Sequence, residues 1–199
     1  MRHLWNQGQV EIYKHPYPHI IVHNFFQERV AKRISEDFLY DVSHPSKNYE
    51  GSCGIEVDFT KNVSNHRYVS RVLKQYFYYD WIEVSDFCFD HLSNGDKEPS
   101  SRYRPQRLIT CSYEPKEENT IIRDWHTDAV EKRYHIMMYM GDCKSGGEFE
   151  MRNKDGETKS IPFESNRLII WKNTLDAEHR YRNSTDFTRQ TISIPLEVF

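Results

Sequence analysis

The chain has 199 residues, of which 37% are hydrophobic, enough for one domain with a substantial buried core. Its formal net charge of -3 argues against a general nucleic-acid binder. The four cysteines form no C-x-x-C pair, so a zinc knuckle and a thioredoxin motif are both excluded. No apolar run approaches the roughly 20 residues of a membrane helix, and residues 1–10 lack the apolar stretch of a signal peptide. We therefore expect a cytoplasmic protein with neither a membrane nor a nucleic-acid partner.

The N-terminal half contains the patterns of one short strand and two helices. Residues 19–23 form a β-branched run, and Asn24 with Gln27 three positions later resembles a capping box. Apolar side chains then recur at four-residue spacing, which predicts a helix over about residues 25–40. The same kind of spacing predicts a second helix over residues 65–78. Both helices should pack against a sheet.

From residue 104 onward the sequence consists of short β-branched and aromatic runs separated by turn residues. The candidate strands are residues 107–113, 134–140, 147–151, 158–162, 167–171, 179–181 and 188–195. Short strands at about ten-residue spacing indicate a sandwich or barrel, and an eight-stranded jelly-roll explains them most simply. We expect a single domain over residues 1–199, with supporting elements in 1–103 and the β core in 104–199.

The segment His126-Thr127-Asp128 is a candidate metal-binding motif. In a chain with ten histidines roughly one or two H-x-D motifs are expected by chance, so the motif gains weight only from its context. If the segment is a strand, His126 and Asp128 point to one side and Trp125 and Thr127 to the other. His179 lies in a polar stretch much further along the chain and, taken alone, is typical of a surface histidine.

Arg189 opens the last candidate strand. Thr191 and Ser193 share its face, whereas Ile192 and Ile194 make the opposite face apolar. An arginine that points inward needs an anion, because burying an unpaired charge is costly. The anion is either a protein carboxylate in a salt bridge or an acidic ligand.

Taken together, these positions resemble the iron(II)- and 2-oxoglutarate-dependent dioxygenases, in the branch similar to prolyl 4-hydroxylases. The matching features, in the family's order, are residues 15–26 (HPYPHIIVHNFF), His126-Thr127-Asp128, Gly146-Gly147-Glu148, residues 166–171 (NRLIIW), His179 and Arg189. The resemblance implies a double-stranded β-helix, which is a jelly-roll or cupin-like barrel, with flanking N-terminal helices.

The resemblance also assigns roles to individual residues. His126, Asp128 and His179 would be the ligands of Fe(II), and two imidazoles with one carboxylate leave positions open for a 2-oxo acid and dioxygen. Arg189 would bind the far carboxylate of the cosubstrate 2-oxoglutarate, with Tyr139 or Tyr113 as the assisting phenol. Ascorbate is a further candidate cofactor.

The implied reaction is hydroxylation of a C–H bond, foremost that of a prolyl residue in a protein or peptide, with release of succinate and CO2. Asp128 favours hydroxylation, since relatives that halogenate lack this carboxylate. The substrate could instead be a free amino acid or another small molecule. Two other classes of protein stay open. A non-oxidative cupin-like metal protein, such as a zinc isomerase or hydrolase, would not need Arg189. A binding module would retain the fold but would have lost turnover.

The sequence says less about the substrate-binding surface. Arginines flank the first core strand and follow His179, where they either contact an acidic or peptide substrate or form ordinary solvated surface. They are Arg102, Arg104, Arg107, Arg180 and Arg182. The polar residues 114–123 lie between that strand and the H-x-D motif, a position suited to a lid.

Overall fold

The computed structural model describes residues 9–43, 47–49, 52–60, 68–93, 103–113, 117, 120–129, 132–141 and 145–198. Its strands are β1 (Val10–Tyr13), β2 (His19–Val22), β3 (Lys47–Tyr49), β4 (Ser52–Asp58), β5 (Tyr103–Pro105), β6 (Arg107–Tyr113), β7 (Ile121–His126), β8 (Lys132–Met140), β9 (Phe149–Arg152), β10 (Thr158–Ile161), β11 (Arg167–Lys172), β12 (Glu178–Arg182) and β13 (Arg189–Val198). Its helices are α1 (Glu28–Ser43), α2 (Tyr68–Leu73), a π-helical segment (Lys74–Tyr79) and α3 (Trp81–Leu92).

The strands form two sheets of unequal size. The large sheet has the order β1-β2-β11-β8-β13-β6-β4-β3, with β5 also paired to β13, and the small sheet has the order β10-β9-β12-β7. The eight strands from β6 onward divide equally between the sheets, so β6, β8, β11 and β13 face β7, β9, β10 and β12. This division confirms the predicted jelly-roll core, and the N-terminal strands extend its large sheet.

Side-chain alternation along the central strands separates two layers of core. On β8, Ile136 and Met138 point toward the helices and pack with Ile34 of α1 and Val84 of α3. Tyr139 points the other way, into the layer between the sheets. That inner layer is completed by apolar side chains of both sheets, among them Ile21, Met137, Phe149, Met151, Ile169 and Trp171. Tyr139, one of the candidate site residues, belongs to this inner layer.

Helix α1 begins at Glu28, later than the start near residue 25 that the capping pattern predicted. The backbone just before it bonds to Asn166: Phe25 N–H donates to the Asn166 carbonyl at 3.0 Å, and Phe26 N–H donates to its side-chain oxygen at 2.8 Å. Asn24 itself has a φ of 51° and is not the cap. The first helical N–H groups bond instead to the Gln27 carbonyl. A tertiary contact thus overrides the local start signal.

The second predicted helix, over residues 65–78, is wrong in its bounds. Residues 65–67 lie outside the described residues, and the helical region continues through the π-helical segment to Leu92. Helix α3, which the sequence reading missed, buries Val84, Cys88 and Leu92, a four-residue spacing that is visible in the sequence. In the described part of the chain, no helix is long and apolar enough to cross a membrane.

All seven predicted core strands are present, with ends shifted by a few residues. The eighth core strand, β7, occupies residues partly assigned to a lid over 114–123, so that prediction is wrong for residues 121–123. Residues 114–116, 118 and 119 lie outside the described residues. The sequence reading also missed β4, a seven-residue strand that pairs with β6 and carries the large sheet beyond the core.

Candidate active site

The structure brings His126, Asp128 and His179 together. Each offers one ligand atom, and the three atoms lie within 4.8 Å of one another. The two imidazole centroids are 4.3 Å apart, and Asp128 Oδ2 lies 3.9 Å from His179 Nε2. Two imidazoles and a carboxylate at such separations can share one ion.

The strand pairing explains how distant residues meet here. His126 is the last residue of β7 and is the register partner of His179 on β12. Because the strand ends at His126, the expectation that Asp128 would lie on the same strand is wrong, and Asp128 reaches the site from the following loop. The predicted alternation holds for Trp125, whose ring lies between the guanidinium groups of Arg152 (4.3 Å) and Arg180 (4.5 Å).

Backbone carbonyls orient both imidazoles through their Nδ1 atoms. His126 Nδ1 lies 2.7 Å from the Asp124 carbonyl, and His179 Nδ1 lies 3.5 Å from the Ala177 carbonyl. A carbonyl can only accept, so Nδ1 carries the proton and the lone pair is left on Nε2. His179 Nε2 is buried and has no hydrogen-bond partner among the described residues. A metal ion would satisfy this atom.

Burial keeps His179 neutral. The side chain is fully buried, and desolvation lowers its pKa to about 3, although the nearby Asp128 carboxylate opposes the shift. The imidazoles of His126 and His135 lower the pKa of His179 further. Since only a neutral imidazole can bind a metal, His179 is a competent donor at neutral pH.

Arg189 lies at the start of β13 and is 1% exposed. Its Nε donates to the Gly147 carbonyl at 3.2 Å, whereas Nη2 has no hydrogen-bond partner in the described part of the chain. The structure gives the guanidinium no ion pair with a carboxylate of the described residues. A buried guanidinium without a protein carboxylate beside it favours an acidic ligand, rather than a structural salt bridge, as the anion that Arg189 needs.

Three phenols surround the Arg189 guanidinium. Its central carbon lies 5.9 Å from the ring centroid of Tyr113, 5.4 Å from that of Tyr139 and 5.3 Å from that of Tyr181. Burial raises the pKa of Tyr139 to about 12, although the adjacent guanidinium acts in the opposite direction. The Tyr139 hydroxyl is therefore a proton donor at neutral pH, suited to a carboxylate.

A cavity of about 180 Å³ is lined by both Asp128 and Arg189. Its wall also includes Tyr113, Tyr181 and His135, whereas Tyr139, His126 and His179 are not among its lining residues. The cavity thus has a candidate metal ligand and a buried cation on the same wall. A short dicarboxylic acid matches both in size and in charge.

The sequence reading missed His135 and Tyr181. Tyr181 lies two residues after His179 on β12, so strand alternation directs it to the same face. Its pKa is raised well above its usual range, first by burial and then by the Asp128 charge. His135 lies on β8, where alternation groups it with Met137 and Tyr139. Nothing local indicates its contact with Asp128, described below.

The candidate substrate arginines are engaged elsewhere where the structure describes them. Arg107 pairs with Glu56 at 3.2 Å and with Glu197 at 2.9 Å. Arg180 and Arg182 both pair with Glu150. The Arg104 guanidinium stacks on the Tyr78 ring at 4.2 Å, and Arg102 lies outside the described residues. These contacts favour the interpretation that the arginines form ordinary protein surface and do not bind the substrate.

Comparison with solved structures identifies the fold. A prolyl-4-hydroxylase of Pseudomonas putida superposes with a TM-score of 0.65 at 11% identity, over 91% of this chain and 92% of that one. The chain has the fold of the prolyl 4-hydroxylases. A prolyl 4-hydroxylase of Phytophthora capsici shares this fold with a TM-score of 0.63 and 14% identity, over 90% of this chain and 58% of that one.

The same prolyl 4-hydroxylase fold occurs in an oxidoreductase of the 2OG-Fe(II) oxygenase family from Burkholderia pseudomallei. That structure has a TM-score of 0.59 and 12% identity, over 90% of this chain and 84% of that one. Neither a family model nor a curated protein matches the sequence itself. The likeness therefore confirms the predicted double-stranded β-helix, and the roles of the site residues depend on the geometry above.

Proposed function

We propose that the protein is an iron(II)- and 2-oxoglutarate-dependent dioxygenase that hydroxylates a C–H bond. The observation that carries this proposal is a cavity lined both by Asp128 of the candidate metal group and by the buried Arg189. Iron(II) together with 2-oxoglutarate supplies the oxidation of the C–H bond by dioxygen, with release of succinate and CO2. The protein supplies the binding, orientation and shielding of the reactants.

The residues present fit the metal that the fold family implies. His126, Asp128 and His179 would hold the ion, and three protein donors leave coordination positions for a bidentate 2-oxo acid and dioxygen. His179 Nε2 is buried, carries a lone pair and has no other partner in the described residues. A zinc isomerase or hydrolase would use the same three donors but would leave the inward cation unexplained.

Arg189 would bind the far carboxylate of 2-oxoglutarate. The planar guanidinium can hold both carboxylate oxygens, and its Nε is already fixed by the Gly147 carbonyl. Tyr139, a protonated phenol beside it, would donate a further hydrogen bond, and Tyr113 is the second candidate for this role. Arg189 and Tyr139 are 1% and 0% exposed, and this burial would keep bulk water away from the far carboxylate.

A prolyl residue in a protein or peptide is our proposed target. Its support is the set of neighbours that are themselves named prolyl 4-hydroxylases, at identities of 11% and 14%. A free amino acid or small molecule is the alternative. The two are separated by comparing proline-containing peptides with free proline and with matched alanine-for-proline peptides, scored by gain of one oxygen in mass spectrometry.

The experiment that tests the reaction class is an anaerobic titration of the metal-free protein with Fe(II) and then 2-oxoglutarate. A weak visible charge-transfer band is expected when the 2-oxo acid chelates the bound iron. Arg189→Ala should abolish the band at the same cosubstrate concentration while iron stays bound. Arg107→Ala is the matched control, since Arg107 pairs with Glu56 and Glu197 instead. Bound metal without a band in the wild type would overturn the proposal in favour of a non-oxidative metal protein.

A further inference from the structure

His135 contacts the candidate metal site from the large sheet. Its Nδ1 lies 2.7 Å from Asp128 Oδ2, and its Nε2 lies 2.6 Å from Ser193 Oγ. The contact with Asp128 is electrostatic, since the ring N–H is not aligned on the carboxylate oxygen. His135 is not one of the three clustered donors. It therefore contacts a candidate ligand without being one itself.

The surroundings of His135 allow its ring little freedom. The side chain is 6% exposed, and the ring stacks on Trp171 with centroids 4.5 Å apart and planes inclined by 4°. Trp171 is the register partner of His135 across β11 and β8, so backbone pairing fixes the stack. Ser193 lies on β13, on the other side of β8. The imidazole is thus held by both neighbouring strands.

Strand pairing does not fix the backbone at Asp128. This residue follows the end of β7 and lies in a loop, where a side chain keeps more rotational freedom than on a paired strand. Holding a ligand carboxylate in one orientation before the ion arrives strengthens metal binding. The oxygen that His135 contacts, Oδ2, is also the one that lies 3.9 Å from His179 Nε2. A carboxylate oxygen has more than one lone pair, so the same atom can face His135 and the ion.

We propose that His135 is a positioning residue that orients the Asp128 carboxylate for metal binding, an inference that rests on the proposed iron site. A carboxylate oxygen 2.7 Å from Nδ1 favours the tautomer with its proton on Nδ1, in which Nε2 accepts from the Ser193 hydroxyl. Ser193 fixes the tautomer of His135, His135 orients Asp128, and Trp171 keeps the ring in plane.

The test is the affinity of the metal-free full chain for Co(II), measured anaerobically from the visible spectrum of the bound ion. His135→Phe keeps a ring that can stack on Trp171 and removes both nitrogens. It should weaken Co(II) binding about 10- to 100-fold, the range typical of a lost partner of a metal ligand. His135→Asn keeps a donor near the Nδ1 position and should recover most of that affinity. Ser193→Ala should weaken binding by a smaller factor than His135→Phe.

The controls separate positioning from packing and from the proposed function. His91→Phe alters an exposed histidine of α3 and should leave the affinity unchanged. Unchanged Co(II) affinity and spectrum in His135→Phe would overturn the positioning role. The role would also be overturned if His135→Phe and His135→Asn weakened Co(II) binding equally and lost the same thermal stability in the metal-free state. If the wild type binds no Co(II), or if His179→Ala binds as the wild type does, the proposed iron site itself fails.

Discussion

His126 and His179 are direct register partners across β7 and β12, and their imidazole centroids lie 4.3 Å apart. Antiparallel pairing therefore places two histidines that are distant in sequence side by side, and their spacing in the sequence does not reveal this. A slip of one residue would turn one of them to the outer face of the small sheet. The site thus depends on the register of this strand pair.

Replacement of His179 by alanine should remove the metal site. The variant lacks a buried neutral donor, so its metal affinity should fall by more than the roughly 10- to 100-fold typical of a lost partner of a ligand. Metal content after dialysis against a limiting Fe(II) concentration under anaerobic conditions measures this. His91→Ala, at an exposed position on α3, is the control. Retention of one ion per chain in His179→Ala would place the metal elsewhere.

Removal of the Tyr139 hydroxyl should weaken cosubstrate binding without affecting the metal. Tyr139 is buried beside Arg189, and its raised pKa of about 12 keeps the phenol a donor. A lost hydrogen bond to a charged group costs about 1.5 to 3 kcal/mol, so Tyr139→Phe should bind 2-oxoglutarate roughly tenfold more weakly or worse. The anaerobic titration measures it, with Tyr113→Phe in parallel. A larger loss of 2-oxoglutarate affinity in Tyr113→Phe than in Tyr139→Phe would make Tyr113 the assisting phenol instead.

Gly146 should tolerate alanine much less well than Gly156. Both glycines have positive φ, +77° and +83°, and this strain costs a non-glycine residue about 1 kcal/mol. A Cβ on Gly146 would also lie 2.7 Å from the Asn183 carbonyl oxygen, whereas a Cβ on Gly156 would meet nothing within 4 Å. Gly146→Ala should therefore lower the free energy of unfolding by roughly 1 to 3 kcal/mol more than Gly156→Ala. Urea unfolding compares them, and equal losses would contradict the clash.

His19 should make the protein less stable as the pH falls from 6.5 to 4. Burial lowers its pKa from 6.5 to about 4, although the Tyr17 carbonyl, 2.8 Å from Nδ1, opposes the shift. Between these values the unfolded chain binds a proton that the folded chain does not, so stability falls with pH. The difference of the two pKa values corresponds to about 3 kcal/mol, fully lost below pH 4.

Urea unfolding with a chelator present tests the contribution of His19. His19→Gln should lose about 3 kcal/mol less than the wild type between pH 6.5 and 4. His91→Gln, at an exposed position, should follow the wild-type curve. A His19→Gln profile parallel to that of the wild type would show that His19 does not cause the dependence.

The face that carries Arg189 could be predicted from the sequence. The alternation of Arg189, Thr191 and Ser193 with Ile192 and Ile194 is local, and the structure places the first three on the cavity wall and the last two in the helix-side core. The grouping of His126, Asp128 and His179 could be predicted from the resemblance, because their order along the chain is specific. Their roles, and those of Arg189 and the two phenols, stay predictions.

What could not be predicted depends on long-range contacts. Residues 121–126 are too polar for an obvious strand, and they form β7 because β12 pairs with them. The later start of α1 follows from bonds to Asn166, which is distant in sequence. His135 lies on a predicted strand, but its contact with Asp128 requires the loop after β7 to fold back onto β8. Helix α3, by contrast, had a readable apolar spacing.

The two candidate metal-binding histidines and the candidate cosubstrate-binding cation belong to different sheets. His126 and His179 are on the small sheet, whereas Arg189 opens the central strand of the large sheet. A dicarboxylic acid bound between an ion on one sheet and a guanidinium on the other would need a length that matches the distance between the two sheets. The thickness of the apolar layer around Phe149 and Trp171 then sets the chain length of the acid. Selectivity for 2-oxoglutarate over shorter or longer homologues would thus be a property of the packing of the whole sandwich.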